Sequence, residues 1–404
     1  MAAPADDRRL SGGGEVRPLV LGGGAVPFRR YRDGSSFRDW VRTAASGALE
    51  DAGVEAKDID AVVVASESDF FSLQLAPGSV IVDDLGLVSC PVMRVEGGGA
   101  SGALALRAGM LHVMAGLARR VLVVGFEHTA SHLSSEDVRL LYALSLDTDI
   151  EGMAGATTVS LYALSIIEHM ARFGTTPEHL ARVSVANHAH ARANPWAHKP
   201  MDIAIDDVLA SRPIAPPYHL LDCSLISDGA AAVVLGHPRD APAAARVRLA
   251  GSGCSTDCVR LGDRARRHRF AAKERSARAA YAMAGITDPA AEIDVAEVYD
   301  AFTGAELQGL EALGLCPEGG GGPAFADGAF ARDGRLAVNL SGGLIGQGGA
   351  PGAIGILQAV TMQRLLEGRY WPGAQPGRAL RRGVIDAHGG VCTVSVTHVM
   401  ERID

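Results

Sequence analysis

The chain has no apolar run of 18 or more residues, so a membrane-spanning helix is not expected. It carries only three lysines, Lys57, Lys199 and Lys273, which leaves few positions for Schiff-base chemistry. Acidic residues outnumber basic ones by 46 to 38, for a formal net charge of −8. The arginines are dispersed, which argues against a nucleic-acid footprint. The six cysteines (Cys90, Cys223, Cys254, Cys258, Cys316, Cys392) show neither a disulfide framework nor a zinc-ribbon spacing. Cys254-Ser-Thr-Asp-Cys258 lacks a second ligand pair, so no metal site is expected. These absences point to a reduced, cytoplasmic protein. Residues 1–16 are polar and glycine-rich without a signal-peptide core and read as a flexible leader.

What the chain does have is glycine, 49 residues of it, and 48% apolar content over 404 residues, enough for two core-bearing halves. Arg17–Gly22, Ile59–Ala65 (IDAVVVA) and Arg120–Phe126 (RVLVVGF) read as buried strands. Asp39–Ala52 has helical spacing and stops at Gly53. A long insertion, about 129–220, follows the third strand, and Pro238–Ala245 reads as a linker. The rhythm then restarts: strand Arg246–Ala250, helix Arg264–Ala284, strand Ile293–Val298, helix Phe302–Leu313, a glycine-rich turn Leu344–Gly352, helix Ala353–Glu367, and closing strands Arg382–Asp386 and Val391–Glu401. Two halves, 17–240 and 246–404, with strands alternating with helices, argue for a layered α/β fold.

The chemistry concentrates in glycine turns. Val95-Glu96-Gly97-Gly98-Gly99-Ala100-Ser101-Gly102 opens an alanine-rich helix, and three consecutive glycines imply positive φ or a close backbone approach. Three further segments stand out: Leu221-Asp222-Cys223-Ser224 with Ser227-Asp228-Gly229-Ala230, Val298-Tyr299-Asp300-Ala301-Phe302-Thr303, and Asn339-Leu340-Ser341-Gly342-Gly343. Together they resemble the thiolase superfamily from about Arg17 to Arg402, in its lipid-transfer-protein (sterol-carrier-protein-x) branch. The resemblance implies the thiolase fold, two similar αβαβαββ halves packed as αβαβα layers, with the site in the crevice between them and a homodimer. It also implies a CoA thioester as substrate, with no other cofactor.

The catalytic positions of a thiolase are filled differently here. Gly99 stands where the nucleophilic cysteine would be, Gly349 where the Gly-His-Pro histidine would be, and Ala387-His388-Gly389 near the second cysteine. Gly97-Gly98-Gly99-Ala100 with Tyr299-Asp300-Ala301-Phe302-Thr303 is similar to the cysteine-free, thiolase-like aldolases of steroid side chains. That similarity implies a retro-aldol lyase that cleaves a 3-hydroxyacyl-CoA to a ketone and a shorter acyl-CoA. It also implies a small partner subunit of OB-fold and zinc-ribbon type. The alternatives are a non-catalytic acyl-CoA-binding subunit and a condensing enzyme or acyltransferase that depends on a partner.

Such chemistry needs a proton carrier and donors for a developing oxyanion. Tyr299 is the candidate to accept or relay a hydroxyl proton if neighbouring donors lower its pKa; otherwise it is a core tyrosine. His388 and His128 are further acid/base candidates. Asp300 orients a neighbour or caps the helix that begins near Phe302. The backbone N–H groups of Gly98-Gly99, Gly348-Gly349 and Gly389-Gly390 are candidates for an oxyanion site. Arg266 and Arg269, with Ser341, are candidates for contacts to CoA; a solvated helix face would place the two arginines equally well.

Overall fold

The computed structural model describes residues 16–242 and 245–403. The expected leader falls almost wholly outside the described residues, and the expected linker falls partly so.

Twelve strands form: β1 Leu19–Ala25, β2 Ala61–Ala65, β3 Val92–Val95, β4 Arg120–Glu127, β5 Pro213–Ala215, β6 Tyr218–His219, β7 Gly229–Gly236, β8 Val247–Thr256, β9 Val295–Glu297, β10 Ala337–Val338, β11 Arg382–Gly389 and β12 Val394–Arg402. Ten of them share one sheet in the order β10-β9-β11-β12-β8-β1-β7-β4-β2-β3. β5 and β6 form a separate hairpin. The larger sheet is two five-strand parts joined where β1 meets β8, with Leu19 opposite Arg248 and Val20 opposite Val247. Each part has the same design. β2 lies parallel between β3 and β4, and β9 lies parallel between β10 and β11. Antiparallel strands then complete each part.

The burial of β2 explains its sequence. All five residues of Ala-Val-Val-Val-Ala are buried, as a parallel strand covered on both faces requires. Two helices, Ser101–Met114 and Pro351–Leu366, pack against each other and against strands of both parts. Helix Phe37–Ala52 covers the outside of β1 and β7, and helix Ala271–Ala284 covers β8 and β12. The result is the layered α/β architecture that the resemblance implies.

The two inner helices touch backbone to backbone. A Cβ on Gly355 would lie 2.3 Å from the Ala103 nitrogen, and one on Gly102 2.9 Å from the Gly352 carbonyl oxygen. Any larger residue at this crossing would push the helices apart.

Three expectations need correction. The helix expected from Arg264 begins at Ala271. Arg264 is instead buried, its guanidinium bonded to the carbonyls of Cys258 (2.8 and 3.0 Å) and Val391 (2.6 Å), and these contacts hold the segment as irregular chain. Cys392, inside the expected strand Val391–Glu401, is buried but lies in the turn between β11 and β12, at φ 54°. The insertion is predominantly helical, with helices Ser135–Ala143, Thr158–Phe173 and Pro177–Ala191.

Candidate active site

In each half the carboxyl ends of parallel strands deliver the chemistry, which is where open α/β sheets present their sites. Glu67 follows β2, the triple-glycine turn follows β3, Tyr299 follows β9, and His388 sits near the end of β11. They meet at a cavity of ≈ 270 Å³ lined by Glu67, Gly99, Tyr142, Tyr162, Tyr299 and His388 among others.

The glycine turn is locked from within. The Gly98 N–H donates to Glu96 Oε1 at 2.6 Å, Ser101 Oγ donates to the Gly98 carbonyl at 2.7 Å, and the Gly97 N–H donates back to Ser101 Oγ at 3.0 Å. Gly98 sits at φ 58°, where glycine is favoured. Gly99 has no room for a side chain. A Cβ there would lie 2.3 Å from Tyr299 Oη and 2.4 Å from the His388 carbonyl oxygen. The tyrosine hydroxyl therefore occupies the space into which a residue-99 side chain would project.

Tyr299 is 7% exposed, and its ring packs on His388 with centroids 4.6 Å apart. Asp386 Oδ1 fixes its backbone N–H at 3.2 Å. Among the described residues the Tyr299 hydroxyl has no hydrogen-bond partner, so it is free to donate into the cavity. Burial, reinforced by the negative charge of Glu67, raises its pKa above the ordinary tyrosine value. The expectation of a tyrosine made more acidic is thus corrected: burial favours the protonated hydroxyl, which can donate into the cavity.

His388 is fully buried, with Nε2 2.7 Å from Tyr162 Oη, which in turn lies 2.7 Å from the Gly390 carbonyl oxygen. Tyr162 has one proton. With that proton on Gly390, the His388 ring must supply Nε2–H, and the chain His388, Tyr162, Gly390 is complete. Burial, then the charge of Lys273, pushes the His388 pKa down to about 4, so the ring is neutral at physiological pH. Behind it, Lys273 and Asp386 form a fully buried ion pair.

The other sequence candidates lie elsewhere or are already bonded. His128 packs edge-on to Trp40 and against His132, outside the cavity lining. Asp300 does cap a helix, but not the one that begins near Phe302. Its carboxylate accepts the N–H groups of Leu344 (2.6 Å) and Ile345 (3.2 Å) and the amide of Asn187 (2.8 Å), fixing the short helix Gly343–Gly346.

The Gly348-Gly349 turn cannot serve as the oxyanion donor expected. The Gly349 N–H donates to Leu225 at 2.7 Å and the Gly348 N–H to Leu344 at 3.1 Å. Gly349 and Gly390 do line the cavity, while Gly389 allows the two turns to touch, a Cβ there falling 2.2 Å from the Gly97 carbonyl oxygen. Ser341 is buried and donates its hydroxyl to Glu297, so it offers nothing to CoA. Arg269 is held by Glu274 in two 2.7 Å bonds, and exposed Arg266 stands outside the cavity lining.

Sequence reasoning missed Glu67. The signal was its place, directly after a fully buried apolar strand, where a charged residue is costly unless used. Its N–H donates to Glu127 Oε2 at 3.1 Å, and that same oxygen accepts the Gly352 N–H at 2.9 Å. The Tyr142 hydroxyl lies near enough to the Glu67 carboxyl to favour its charged form, and the buried Oε2 has no hydrogen-bond partner. Burial, then the nearby Glu96 charge, pushes its pKa up to about 8.

Comparison with known proteins fits this architecture. The Thiolase, N-terminal domain family matches residues 25–204, and the Thiolase C-terminal domain-like family matches residues 254–402. An acetyl-CoA acetyltransferase of Methanothermobacter thermautotrophicus is 38% identical over 95% of this chain and 99% of its own. Sterol carrier protein 2 of Bos taurus is 30% identical over 89% of this chain and 68% of its own. Among solved structures, the Ltp2-ChsH2(DUF35) aldolase superposes with a TM-score of 0.79 at 25% identity, covering 95% of this chain and 97% of that one.

These relatives correct the functional expectation. Two that match over nearly their full length, at 38% and 35% identity, are named acetyl-CoA acetyltransferase, a thiolase activity, which overturns the retro-aldol lyase inferred from the tyrosine segment. They do not favour the non-catalytic or partner-dependent alternatives either. Among the described residues no helix is long and apolar enough to cross a membrane. With relatives that match it almost end to end, the chain belongs to the thiolase family, in the company of sterol-carrier-protein-2-type members.

Proposed function

We propose that the protein is an enzyme of the acetyl-CoA acetyltransferase kind that makes or breaks the carbon–carbon bond of a β-ketoacyl-CoA with both reactants bound at once. No acyl-enzyme forms at residue 99. In cleavage, the CoA thiol loses its proton to a base and its sulfur adds to the β-carbonyl carbon. The bond between that carbon and the α-carbon breaks, and its electron pair moves into the thioester enolate. A proton returned to the α-carbon releases the second acyl-CoA. Synthesis is the reverse, with CoA thiolate leaving.

Tyr299 donates its hydrogen bond to the oxygen on which charge develops. His388 is a positioning residue: neutral, tied to Tyr162, and packed at a tilt of 56° against the Tyr299 ring, which it holds in place. The observation that carries this reading is the Tyr299 hydroxyl, unpartnered and set in the space denied to a residue-99 side chain.

Initial rates with acetoacetyl-CoA and CoA test it. Intersecting double-reciprocal lines are expected, with no acyl adduct on the intact protein. Parallel lines, an acylated protein, or no turnover would overturn it. Tyr299→Phe should lower kcat about 10²- to 10³-fold, as loss of one oxyanion donor does, with KM changed little.

The same reading includes assembly. β3 is the outer strand of the sheet, and exposed Val88 and Met93 lie on or beside it, which supports pairing of two copies along this edge. The likeness to the Ltp2-ChsH2(DUF35) aldolase supports a second, DUF35-type subunit as a partner. Sedimentation of the purified chain, alone and with such a subunit, would give a dimer and then a larger complex.

A further inference from the structure

The reaction needs a group that carries the proton to and from the α-carbon, and the histidines that do such work elsewhere are not free here. His388 is bonded through Nε2 to Tyr162, and His128 is outside the cavity. Tyr299 holds its proton. Glu127 lies deeper, with Oε2 accepting two backbone N–H groups, and Asp300 accepts three donors.

Glu67 differs from all of these. It lines the cavity beside Gly99 and Tyr299, and its Oε1 lies 3.5 Å from where a Cβ on Gly98 would stand. Its other oxygen, Oε2, is sealed from solvent and bonded to nothing. Among the described residues no cation pairs with it. The nearby arginine, Arg94, is committed to Asp69 and the Ser66 carbonyl. A buried carboxyl oxygen with no partner, at the mouth of a glycine turn and beside an unpartnered tyrosine hydroxyl, is costly to keep unless a substrate uses it.

We propose that Glu67 is the catalytic acid/base that removes a proton from the α-carbon of the bound thioester and returns one to it. This rests on the acyl-CoA reading above. In the forward step the carboxylate forms an O–H bond as the α C–H bond breaks. The C–H electron pair becomes the enolate, whose oxygen receives the Tyr299 hydrogen bond. In the return step the Glu67 carboxylic acid gives that proton back to carbon, and no other reactant is consumed.

The surroundings set the working pH. Glu67 faces Glu96 after β3, Glu127 from β4, Tyr142 from helix Ser135–Ala143, and Tyr299 after β9: two acids and two tyrosines that keep their protons. Only Tyr142 favours the charged form. The carboxyl is thus poised to titrate at about 8, near the pH at which a carbon acid is handled most efficiently.

The test is hydrogen exchange at the α-carbon of acetyl-CoA in D₂O, read by mass spectrometry, which needs no second substrate. The intact protein should wash deuterium into the acetyl group, with a rate that rises with pH to a plateau and a midpoint near 8. Glu67→Gln should slow exchange about 10²- to 10⁴-fold, the usual worth of a general base, with acetyl-CoA affinity by calorimetry unchanged. Glu67→Asp should retain part of the exchange and keep the pH midpoint. Exchange by Glu67→Gln at the unaltered rate, or an unmoved pH profile, would overturn Glu67 while leaving the acyl-CoA reading standing. Should Glu67→Gln fail to fold, Glu67→Asp exchanging at the full rate of the unaltered protein would overturn it equally. No exchange and no acetoacetyl-CoA turnover by the unaltered protein would overturn both.

Discussion

On the side of the cavity built from β9 and β11, Asp300 accepts two backbone N–H groups and the Asn187 amide, and Asp386 is paired with Lys273. On the side built from β2 and β3, Glu67 has a tyrosine hydroxyl nearby and a bare oxygen, with Glu96 and Glu127 for neighbours. Asp300 follows β9, Asp386 lies within β11 and Glu67 follows β2, and they differ in how many donors or cations reach their oxygens. A carboxylate surrounded by donors or a cation is a structural part, because its oxygens are already spent. One whose oxygen has no partner is held in readiness, at a cost in stability. Partner count, more than burial or motif, separates the two roles.

The comparison breaks most severely at Lys273. Lys273→Met leaves Asp386 buried without its cation and should cost about 3–5 kcal/mol, read by denaturant unfolding. Asp300→Ala comes next. It strips three donors of their acceptor, and a loss of about 2–4 kcal/mol is expected, with the Gly343–Gly346 helix first to lose amide protection in hydrogen exchange. Equal stability of either variant with the unaltered protein would show that these carboxyls are not structural.

The smallest effect sharpens the contrast by its sign. Glu67 has a folded pKa raised above its unfolded value, so the folded state binds the proton more tightly. Stability is therefore fullest while the group is protonated and falls as pH rises from about 5 to about 8. Asp386, held below the ordinary range by Lys273 against the opposing effect of burial, runs the other way: its contribution is lost only on acidification through about pH 4 and below. Melting temperatures across pH should show a decline toward pH 8 that is shallower in Glu67→Gln. An unchanged decline would place its origin in another group.

The fold was legible because it is written in long, local patterns. Buried runs such as Ala61–Ala65 and Val121–Phe126, and helix ends marked by Gly53 and Gly285, leave little choice of element. The site was legible only where a glycine turn announced it. Gly99 and Tyr299 were found from their segments, and their meeting at one point follows from the layering. Glu67 was not found, because Ser66-Glu67-Ser68 resembles any polar strand end. Its role depends on which partners it lacks, and that is a property of the folded protein alone. Asp300 misled for the matching reason: its donors come from residues more than forty positions away in sequence. Gly349 misled as well, since its N–H is spent on Leu225.

The buried Pro351–Leu366 helix has a consequence for synthesis. Fifteen of its sixteen residues are covered, and it is the cover for the inner face of β4 and β7 as well as for helix Ser101–Met114. Those elements leave the ribosome long before it does. At roughly 5–20 residues per second, on the order of tens of seconds separate them from the helix that shields them. Throughout that interval part of the apolar sheet face lacks its final cover, and it must stay out of contact with other chains until the helix arrives.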